Sequence, residues 1–376
     1  MDFSQNEALR ELAALTRKIL ADRVTQERLR EVEAGGDRFD PALWADLASS
    51  GVLAAALPES LGGAGLSLLE QCAVLTEIGR AVAPAPYLAS IMLGAGAVAA
   101  FGTTQQQRRL AAPAGRGDIV LTAALAEEDG DDPRAPAVIA KRLGGRWMLT
   151  GTKTAVPAGR RADLILVPAT TSGGVAVFLV SPTDVGVTIQ PQTLVDGDIA
   201  GRLTLAAVAV ADGRVLGSAG DGARITGWLL ARGTVGLCAL QLGVGERALE
   251  MTSAYARSRV QFGKPIGGFQ AVAQRLADAY IDVEAIRLTL WQAAWRLAAG
   301  LPCESEIATA KFWAADAGHR VAHTAVHIHG GVGIDTDYPL HRYFTAAKHN
   351  EFALGGATTQ LRRIGAALAR GDRGEP

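Results

Sequence analysis

The sequence predicts three domains in order: an all-α domain, a middle β-barrel or β-sandwich domain, and a C-terminal four-helix bundle. The first part of the chain is rich in alanine and carries apolar residues at helical spacing. The middle consists of short β-branched runs between turn residues, and the last part of long helical runs with short breaks. A chain of 376 residues is long enough for two or three domains, which we place at residues 1–118, 119–217 and 218–376.

In the first domain, apolar residues recur every three or four positions, and a glycine-rich loop interrupts the helices. The first helix is predicted from Phe3, Leu9, Leu12, Leu15 and Ile19, and further helices are predicted over Pro41–Ser50, Leu69–Arg80 and Tyr87–Phe101. The loop Pro58–Gly65 separates two of these helices. Such a loop either connects helices or faces a ligand, and its residues leave both interpretations open.

Short β-branched runs separated by Gly, Pro and Asp define the middle domain. The runs are Ile119–Leu125, Trp147–Thr150, Leu164–Pro168, Val175–Val180, Val187–Ile189 and Arg202–Val210. Their spacing is typical of an antiparallel barrel or sandwich. The acidic segment Glu127–Pro136 is predicted to be a solvated loop.

Four long helical runs define the last domain, and their short connections favour an antiparallel bundle. They are Ala223–Arg257, Phe269–Ala299, Ser305–His329 and Leu340–Ala369.

The composition is that of a cytoplasmic protein. Hydrophobic residues make up 49% of the chain, but no run approaches the ~20 apolar residues that span a bilayer, and the polar N-terminus is unlike a signal peptide. The net charge of −1 gives no reason to expect a nucleic-acid or membrane surface. Cys72, Cys238 and Cys303 are far apart in apolar contexts, which indicates reduced core thiols.

The segment Arg259–Gln270, between two predicted helices, carries the clearest ligand signal. It combines a cation, two amide side chains and two aromatic rings with glycines, and Gly330 and Gly331 follow later in the chain. A guanidinium can bind a pyrophosphate with two parallel hydrogen bonds, and glycines let backbone approach it closely. These residues predict a site for a planar, doubly charged ligand, with a loop bearing a solvated arginine as the alternative.

Several motifs together resemble the acyl-CoA dehydrogenase family over nearly the whole chain. They are Pro58–Gly65, Leu149–Lys153, Arg259–Gln270, His327–Gly333 and Ala357–Arg362. Ala310–His323 and Glu351–Gly356 are most similar to the bacterial branch that acts on steroid side-chain CoA thioesters. The resemblance implies the acyl-CoA dehydrogenase fold, FAD as cofactor and oxidation of an acyl Cα–Cβ bond, in which a carboxylate removes the α proton and a flavin accepts the hydride.

In this family FAD lies across a subunit interface, so the resemblance implies two half-sites. A neighbour's bundle holds the ADP portion, and here that half is complete. Arg259 matches the pyrophosphate-binding arginine, with Gln261 and Phe262 as adjacent contacts; Gln270 and His327 match polar positions near the adenosine; Gly330 and Gly331 match the turn that meets the phosphates.

The half that holds the isoalloxazine departs from the family pattern. Ala155 stands where the family has a ring, and Pro157 has neither a hydroxyl nor an N–H to donate. The segment Ala126–Asp132, which includes Asp129 and Asp131, is acidic and is expected to repel a flavin phosphate or CoA. The resemblance therefore implies that this subunit holds no isoalloxazine of its own.

The family's two positions for the catalytic base are occupied by Gly233 and Gly356, so no catalytic residue is predicted. Glu351 is five residues from Gly356 and, on a continuous helix, is expected to point elsewhere by a rotation of roughly 140°. Glu246 and Glu250 lie near Arg247 and Arg257 and are expected to form surface ion pairs.

Histidine and tryptophan rows on the helices are interpreted as packing. His319, His323 and His327 share one helix face, with His329 close by, but no carboxylate or cysteine cluster completes a zinc shell. Contact with a nucleotide or partner, or polar bundle packing, is the preferred interpretation. Trp291, Trp295 and Trp313 are expected in the core or an interface.

From these observations the chain is predicted to be the subunit without a base in an α2β2 acyl-CoA dehydrogenase. It would complete the FAD site of a homologous partner that carries the catalytic Glu and binds a steroid side-chain acyl-CoA. Two alternatives remain: a self-sufficient homotetrameric enzyme with an unrecognised base, or a structural paralogue without flavin contact.

Overall fold

The computed structural model describes residues 6–36, 38–128, 130 and 132–370. These residues form two compact units, one of residues 6–31, 68–83 and 234–370 and the other of residues 32–67 and 84–233. Phe3, predicted in the first helix, and Asp129 and Asp131 of the acidic segment lie outside the described residues. The three-domain boundaries at residues 118 and 217 stay a prediction.

The first part of the chain is helical, as predicted. Its helices are α1 (Glu7–Arg23), α2 (Gln26–Ala34), α3 (Pro41–Ser49), α4 (Leu68–Ala81), α5 (Gly96–Phe101), α6 (Thr104–Gln106) and α7 (Ala112–Gly115), with π-helical turns at Tyr87–Ala95 and Gln107–Ala111. Asn6 caps α1 by accepting from the Leu9 amide, and Asp40 caps α3 ahead of Pro41. The predicted helix over Tyr87–Phe101 therefore begins as a π-helix.

The middle of the chain is a mixed sheet. Its strands are β1 (Leu121–Ala123), β2 (Ile139–Leu143), β3 (Arg146–Val156), β4 (Leu164–Thr171), β5 (Gly174–Val180), β6 (Val187–Thr193), β7 (Ile199–Val210) and β8 (Val215–Leu216). The order β6-β7-β3-β2-β4-β5-β8 is antiparallel except where β4 pairs in parallel with β1 at its start and with β2 at Ile139–Thr170. The expected purely antiparallel sheet is thus wrong in these two pairings.

The sheet buries one apolar core, and two strands escaped prediction. Phe178 and Trp147 meet edge to face at 5.6 Å within this core. Strand β2 was missed because, of its five residues, only Ala140 is buried, so no apolar alternation is visible. Strand β8 has only two residues.

The rest of the chain is helical: α8 (Gly222–Ser258), α9 (Gln270–Ala298), α10 (Glu304–His329), α11 (Leu340–Phe352) and α12 (Ala357–Ala369). The prediction of one helix over Leu340–Ala369 is wrong. Leu354 and Gly355 adopt φ angles of 55° and 97°, which an α-helix cannot contain. The chain therefore turns between α11 and α12.

Two fully buried side chains donate hydrogen bonds to the backbone of the turn after α11. The Lys311 ammonium of α10 donates to the carbonyls of Asn350 and Glu351, at 2.8 and 3.1 Å. The Gln360 amide of α12 donates to the carbonyls of Leu354 and Gly355, at 3.4 and 2.9 Å. These donors satisfy carbonyls that the broken helix leaves open.

Helix α10 packs against α9, α11 and α12 within the first unit. Of the three tryptophans expected in the core or an interface, Trp291 and Trp313 are half-buried, and Trp295 is 37% exposed. The three cysteines are free and buried, which agrees with the prediction of core thiols. Within the described residues α8 is long and apolar enough to cross a membrane by length and composition alone, but 67% of its apolar window is buried in the protein, as in a core helix.

Candidate functional site

The segment after α8 forms a small hairpin. Strand β9 (Val260–Gln261) pairs antiparallel with β10 (Lys264–Pro265), and Phe262 and Gly263 occupy the turn with φ angles of 50° and 81°. Two consecutive positive φ angles are typical of a tight hairpin turn, but a ring at the first position is unusual and costs conformational energy. The Phe262 side chain is 93% exposed and meets Phe269 edge to face at 6.2 Å. The hairpin therefore holds an aromatic ring out in solvent.

Arg259 lies at the root of this hairpin. Its backbone N–H donates to the Tyr255 carbonyl at 2.8 Å, and its carbonyl accepts from the Ile266 amide at 2.8 Å. Its guanidinium is exposed and has no hydrogen-bond or ion-pair partner among the described residues. The backbone fixes the residue while the cation stays available.

The amide and histidine side chains predicted at the site are also exposed. Gln261 lies in β9, where its side chain donates to the Val260 carbonyl at 2.8 Å, and Gln270 is the first residue of α9. His327 lies on the exposed face of α10. Gly330 ends that helix with φ 65° and ψ −141°, a conformation that favours glycine, and Gly331 follows in an exposed turn.

An aromatic contact joins the hairpin to the glycine turn. The Tyr255 ring on α8 stacks on the His329 ring on α10, with centroids 4.3 Å apart and planes 24° from parallel. Arg259 lies one helical turn after Tyr255, and Gly330 directly follows His329. The structure thus brings both segments to one end of the bundle. The stack itself was not predicted, and the only signal for it was an aromatic residue one turn before the arginine.

The histidine row divides between different environments. His319 contacts the Glu351 carboxylate at 3.1 Å. The His323 ring stacks on the His319 ring, with centroids 4.3 Å apart. His327 is exposed, whereas His329 is buried. Among the described residues no group of three His, Cys, Asp or Glu side chains could hold a metal ion. The row therefore serves several local contacts.

The segment around Ala155 has its polar groups paired inside the sheet. The Ala155 N–H and the Thr154 hydroxyl both reach the Gln192 amide oxygen on β6, at 2.8 and 3.1 Å. The Pro157 carbonyl accepts from the Thr122 hydroxyl at 2.6 Å. Ala155 lies at a bulge between β3 and β7 with φ 46°. The contact with Gln192 was not predicted from the sequence, because it joins two strands, β3 and β6, that are distant in the chain.

The acidic segment is not simply solvated, which corrects the prediction. Glu127 forms a buried ion pair with Lys153 of β3 at 2.7 Å and accepts from the amides of Ala137 and Val138. Glu128 pairs with Arg202 at 2.9 Å, and Asp132 pairs with Arg134. Among the described residues of the segment, the charges of Glu127, Glu128 and Asp132 are therefore paired with cations, which weakens the repulsion that these three carboxylates would exert on a flavin or CoA.

The comparisons with known proteins match both ends of the chain to one family. A family model for the acyl-CoA dehydrogenase N-terminal domain matches residues 6–118, and one for the acyl-CoA dehydrogenase C-terminal domain matches residues 220–369. Acyl-CoA dehydrogenase FadE27 of Mycobacterium tuberculosis is 49% identical to this chain, over 98% of this chain and 99% of that protein. The chain belongs to the acyl-CoA dehydrogenase family.

Solved acyl-CoA dehydrogenases share its fold. One chain of the ChsE4-ChsE5 complex from Mycobacterium tuberculosis matches 98% of this chain over 99% of its own length, with 50% identity and a TM-score of 0.94. A chain of the Tcur3481-Tcur3483 steroid acyl-CoA dehydrogenase matches 97% of this chain over 99% of its own length, with 42% identity and a TM-score of 0.91. The predicted fold class is confirmed, and the family is one of FAD-dependent oxidoreductases.

The two positions at which the sequence comparison with the family predicted a base, Gly233 and Gly356, are glycine. Gly233 is buried in the middle of α8. Gly356 is the N-cap of α12, where a Cβ atom would make ordinary contacts with the Glu351 carbonyl at 3.4 Å and the Phe352 ring at 3.8 Å. Position 356 therefore has room for a Cβ atom.

The surroundings of Glu351 do not suit a catalytic base. The predicted rotation of roughly 140° between Glu351 and Gly356 was wrong, because it requires a continuous helix and the chain turns at Leu354 and Gly355. Its carboxylate accepts from Lys348 at 2.9 Å and contacts His319 at 3.1 Å. Burial alone would raise the pKa of Glu351, but these hydrogen bonds hold it below its ordinary value. A carboxylate so engaged is a poor proton acceptor.

Glu246 and Glu250 form a network between helices instead of the predicted surface pairs. Arg80 of α4 contacts Glu246 at 2.6 Å and Glu250 at 2.8 Å, and Arg287 of α9 contacts Glu246 at 2.7 Å. Only the predicted pair of Glu250 with Arg247, at 3.2 Å, is present. Both carboxylates serve structure.

The residues present fit one half of FAD and not the other. The exposed guanidinium of Arg259, the exposed amides of Gln261 and Gln270 and the open backbone at Gly330 suit a pyrophosphate and an adenosine. In the sheet, Ala155 offers no ring to stack on an isoalloxazine, and its N–H is bonded to Gln192. The described residues around Arg259 and Gly330 therefore suit the ADP portion of FAD.

Proposed function

We propose that this chain is the subunit without a base in a heteromeric FAD-dependent acyl-CoA dehydrogenase. Its bundle would complete the FAD site of a homologous partner subunit that carries the catalytic Glu. The substrate would be a steroid side-chain CoA thioester bound mainly by that partner, in the cytoplasm. The enzyme would introduce a double bond between Cα and Cβ.

The proposal rests on a difference between the two half-sites in the groups they offer to FAD. The ADP half keeps an exposed arginine, amides and a glycine turn, whereas the sheet segment is closed by Gln192 and both base positions are glycine. A self-sufficient enzyme needs both halves and a base on the same chain. If a partner supplies the isoalloxazine pocket and the base, this chain needs to keep only the ADP half of the FAD site.

The relatives support a two-chain enzyme with a steroid substrate. One similar structure is described as the ChsE4-ChsE5 complex, and another as the Tcur3481-Tcur3483 steroid acyl-CoA dehydrogenase, each named for two proteins. The identities of 50% and 42% extend over nearly the whole chain. Similarity of this degree makes a shared assembly the simplest expectation.

Each site residue has a definite task in this proposal. Arg259 would bind the pyrophosphate with two parallel hydrogen bonds, and the Gly330 and Gly331 backbone would approach the same phosphates. Gln261, Gln270 and His327 would hydrogen-bond to the adenosine, and Phe262 would pack beside it. When bound, FAD would supply the hydride acceptor for Cβ, and a glutamate of the partner subunit would take the α proton.

Purification with and without the partner tests the proposal. Expressed alone, the chain should carry no bound flavin absorbance and no dehydrogenase activity, because it lacks a closed isoalloxazine pocket and a base. Co-expressed with a homologous partner encoded by an adjacent gene, it should form a complex with one FAD per heterodimer. A yellow, active homotetramer of this chain alone would establish the self-sufficient alternative instead.

A further inference from the structure

The two segments that would bind the pyrophosphate are separate in sequence and are joined through His329. On one side its ring stacks on Tyr255, one turn before Arg259. On the other side its Cβ lies against Gly333 of the glycine turn, so close that a Cβ on that glycine would be 3.1 Å away. His329 thus contacts both segments at once.

The hydrogen bonds of His329 fix the plane of its ring. Its Nδ1–H donates to the Ala325 carbonyl at 2.8 Å, which leaves Nε2 to accept from the Tyr338 hydroxyl at 3.2 Å. The side chain is 4% exposed, and burial lowers its pKa, so the ring is neutral near neutral pH. A neutral ring bonded at both nitrogens cannot rotate without losing both bonds.

Each segment has its own backbone hydrogen bonds, but these do not orient one segment against the other. The hairpin is closed by Arg259 and Ile266, and the glycine turn by the bond from the Asp335 amide to the Val332 carbonyl. Removing the His329 ring leaves both closures intact. What it removes is the stack between Tyr255 on α8 and the residue that directly precedes Gly330.

We propose that His329 is a positioning residue of the FAD half-site, which holds the Arg259 hairpin and the Gly330–Gly331 turn in register for one pyrophosphate. The inference rests on the proposed function. His329 itself touches no phosphate, because it is buried beneath the turn. Preorganisation of this kind lowers the entropy cost of binding instead of adding a contact to the ligand.

Variants of His329 and Tyr255 in the heteromeric complex test this inference. We expect His329→Ala to weaken FAD binding to the deflavinated complex by about tenfold, the scale of a lost ring stack and hydrogen bond. His329→Phe keeps the stack and should lose less, and Tyr255→Phe should bind FAD as the wild type does, whereas Tyr255→Ala should match His329→Ala. The turnover at saturating FAD should not change. His323→Ala is the matched control, since it removes a stack of the same 4.3 Å separation outside the half-site.

Hydrogen exchange in the FAD-free complex separates positioning from general stability. His329→Ala should speed amide exchange at residues 259–268 and 330–334 and leave the sheet unchanged. Wild-type FAD affinity and exchange in His329→Ala would overturn the inference. If His329→Ala does not fold, the same FAD-binding and exchange measurements on Tyr255→Ala, Tyr255→Phe and His329→Phe decide the inference. If Arg259→Ala leaves FAD binding intact, the proposed function fails, and the exchange result still decides whether His329 orders the two segments.

Discussion

At the scale of single residues, the identity of a catalytic base depends on which carboxylates are free to accept a proton. Glu351 is closest in sequence to the vacant base position, but Lys348 and His319 engage it. Glu246 and Glu250 are held by arginines of two other helices and one of their own. Each of these three carboxylates is therefore engaged by a cationic or histidine side chain.

We therefore predict that Glu351→Gln leaves the chemical step of the complex nearly unchanged. The glutamine keeps the shape of the side chain and removes only its capacity to take a proton. The measurement is the rate of flavin reduction by substrate in a single turnover. The control is the same change at the partner's catalytic glutamate, which should abolish reduction. A loss of about a hundredfold or more in Glu351→Gln would identify Glu351 as the base.

At the scale of elements, the turn between α11 and α12 is built around a buried lysine. The Lys311 ammonium caps the C-terminal carbonyls of α11, where the helix dipole favours a cation. Burial lowers the pKa of Lys311 to about 8, while the charge of Glu351 opposes this shift and that of Arg363 adds to it. Burying the charged Lys311 ammonium in the cap therefore costs desolvation free energy.

This cost predicts a pH dependence of stability. The folded chain releases the Lys311 proton near pH 8 and the unfolded chain only near 10.5, so between these values the unfolded state binds more protons and stability rises with pH. The free energy of unfolding of the wild type, minus that of Lys311→Met, should increase by about 2 kcal/mol from pH 7 to pH 10. Urea unfolding at both pH values measures it.

Lys18→Met is the control for this experiment, since Lys18 is exposed on α1. It measures the effect of replacing an exposed lysine by methionine at both pH values. A difference between wild type and Lys311→Met that is equal at the two pH values would mean that Lys311 does not titrate in this range.

The elements also show what sequence patterns reveal and what they do not. The helix-period runs predicted α8, α9 and α10 within one or two residues, because their buried faces are continuous. The break at Leu354–Gly355 was missed because leucine suits a helix and its left-handed backbone depends on Lys311 and Gln360. The parallel pairing of β1 with β4 is equally a long-range choice that local pattern does not specify.

The candidate site follows the same division. Arg259, Gln270 and the Gly330–Gly331 turn were identified because their residue types carry the chemistry directly. Tyr255, Gln192 and the bonded state of Glu127 became visible only with tertiary contacts. The last of these shows that one carboxylate of the acidic segment is neutralised by a buried lysine.

At the scale of the whole molecule, we propose that this acyl-CoA dehydrogenase chain supplies the site for the ADP portion of FAD and leaves the isoalloxazine to a partner. In a heterodimer the partner's sheet would hold the isoalloxazine of a flavin whose ADP portion reaches this chain. The corresponding arginine of the partner would face this chain's closed sheet and would have no flavin to bind. The two arginines are therefore expected to differ in effect.

The most direct test is FAD content after removal of each arginine in turn. Arg259→Ala in this chain should weaken FAD binding about ten- to hundredfold, the scale of a lost charge-assisted pair, while Arg10→Ala, an exposed arginine on α1, should have no effect. The equivalent substitution in the partner should leave one FAD per heterodimer. Two flavins per heterodimer, or a loss of FAD that follows the partner's arginine and not Arg259, would contradict the assignment of this chain as the ADP-binding half.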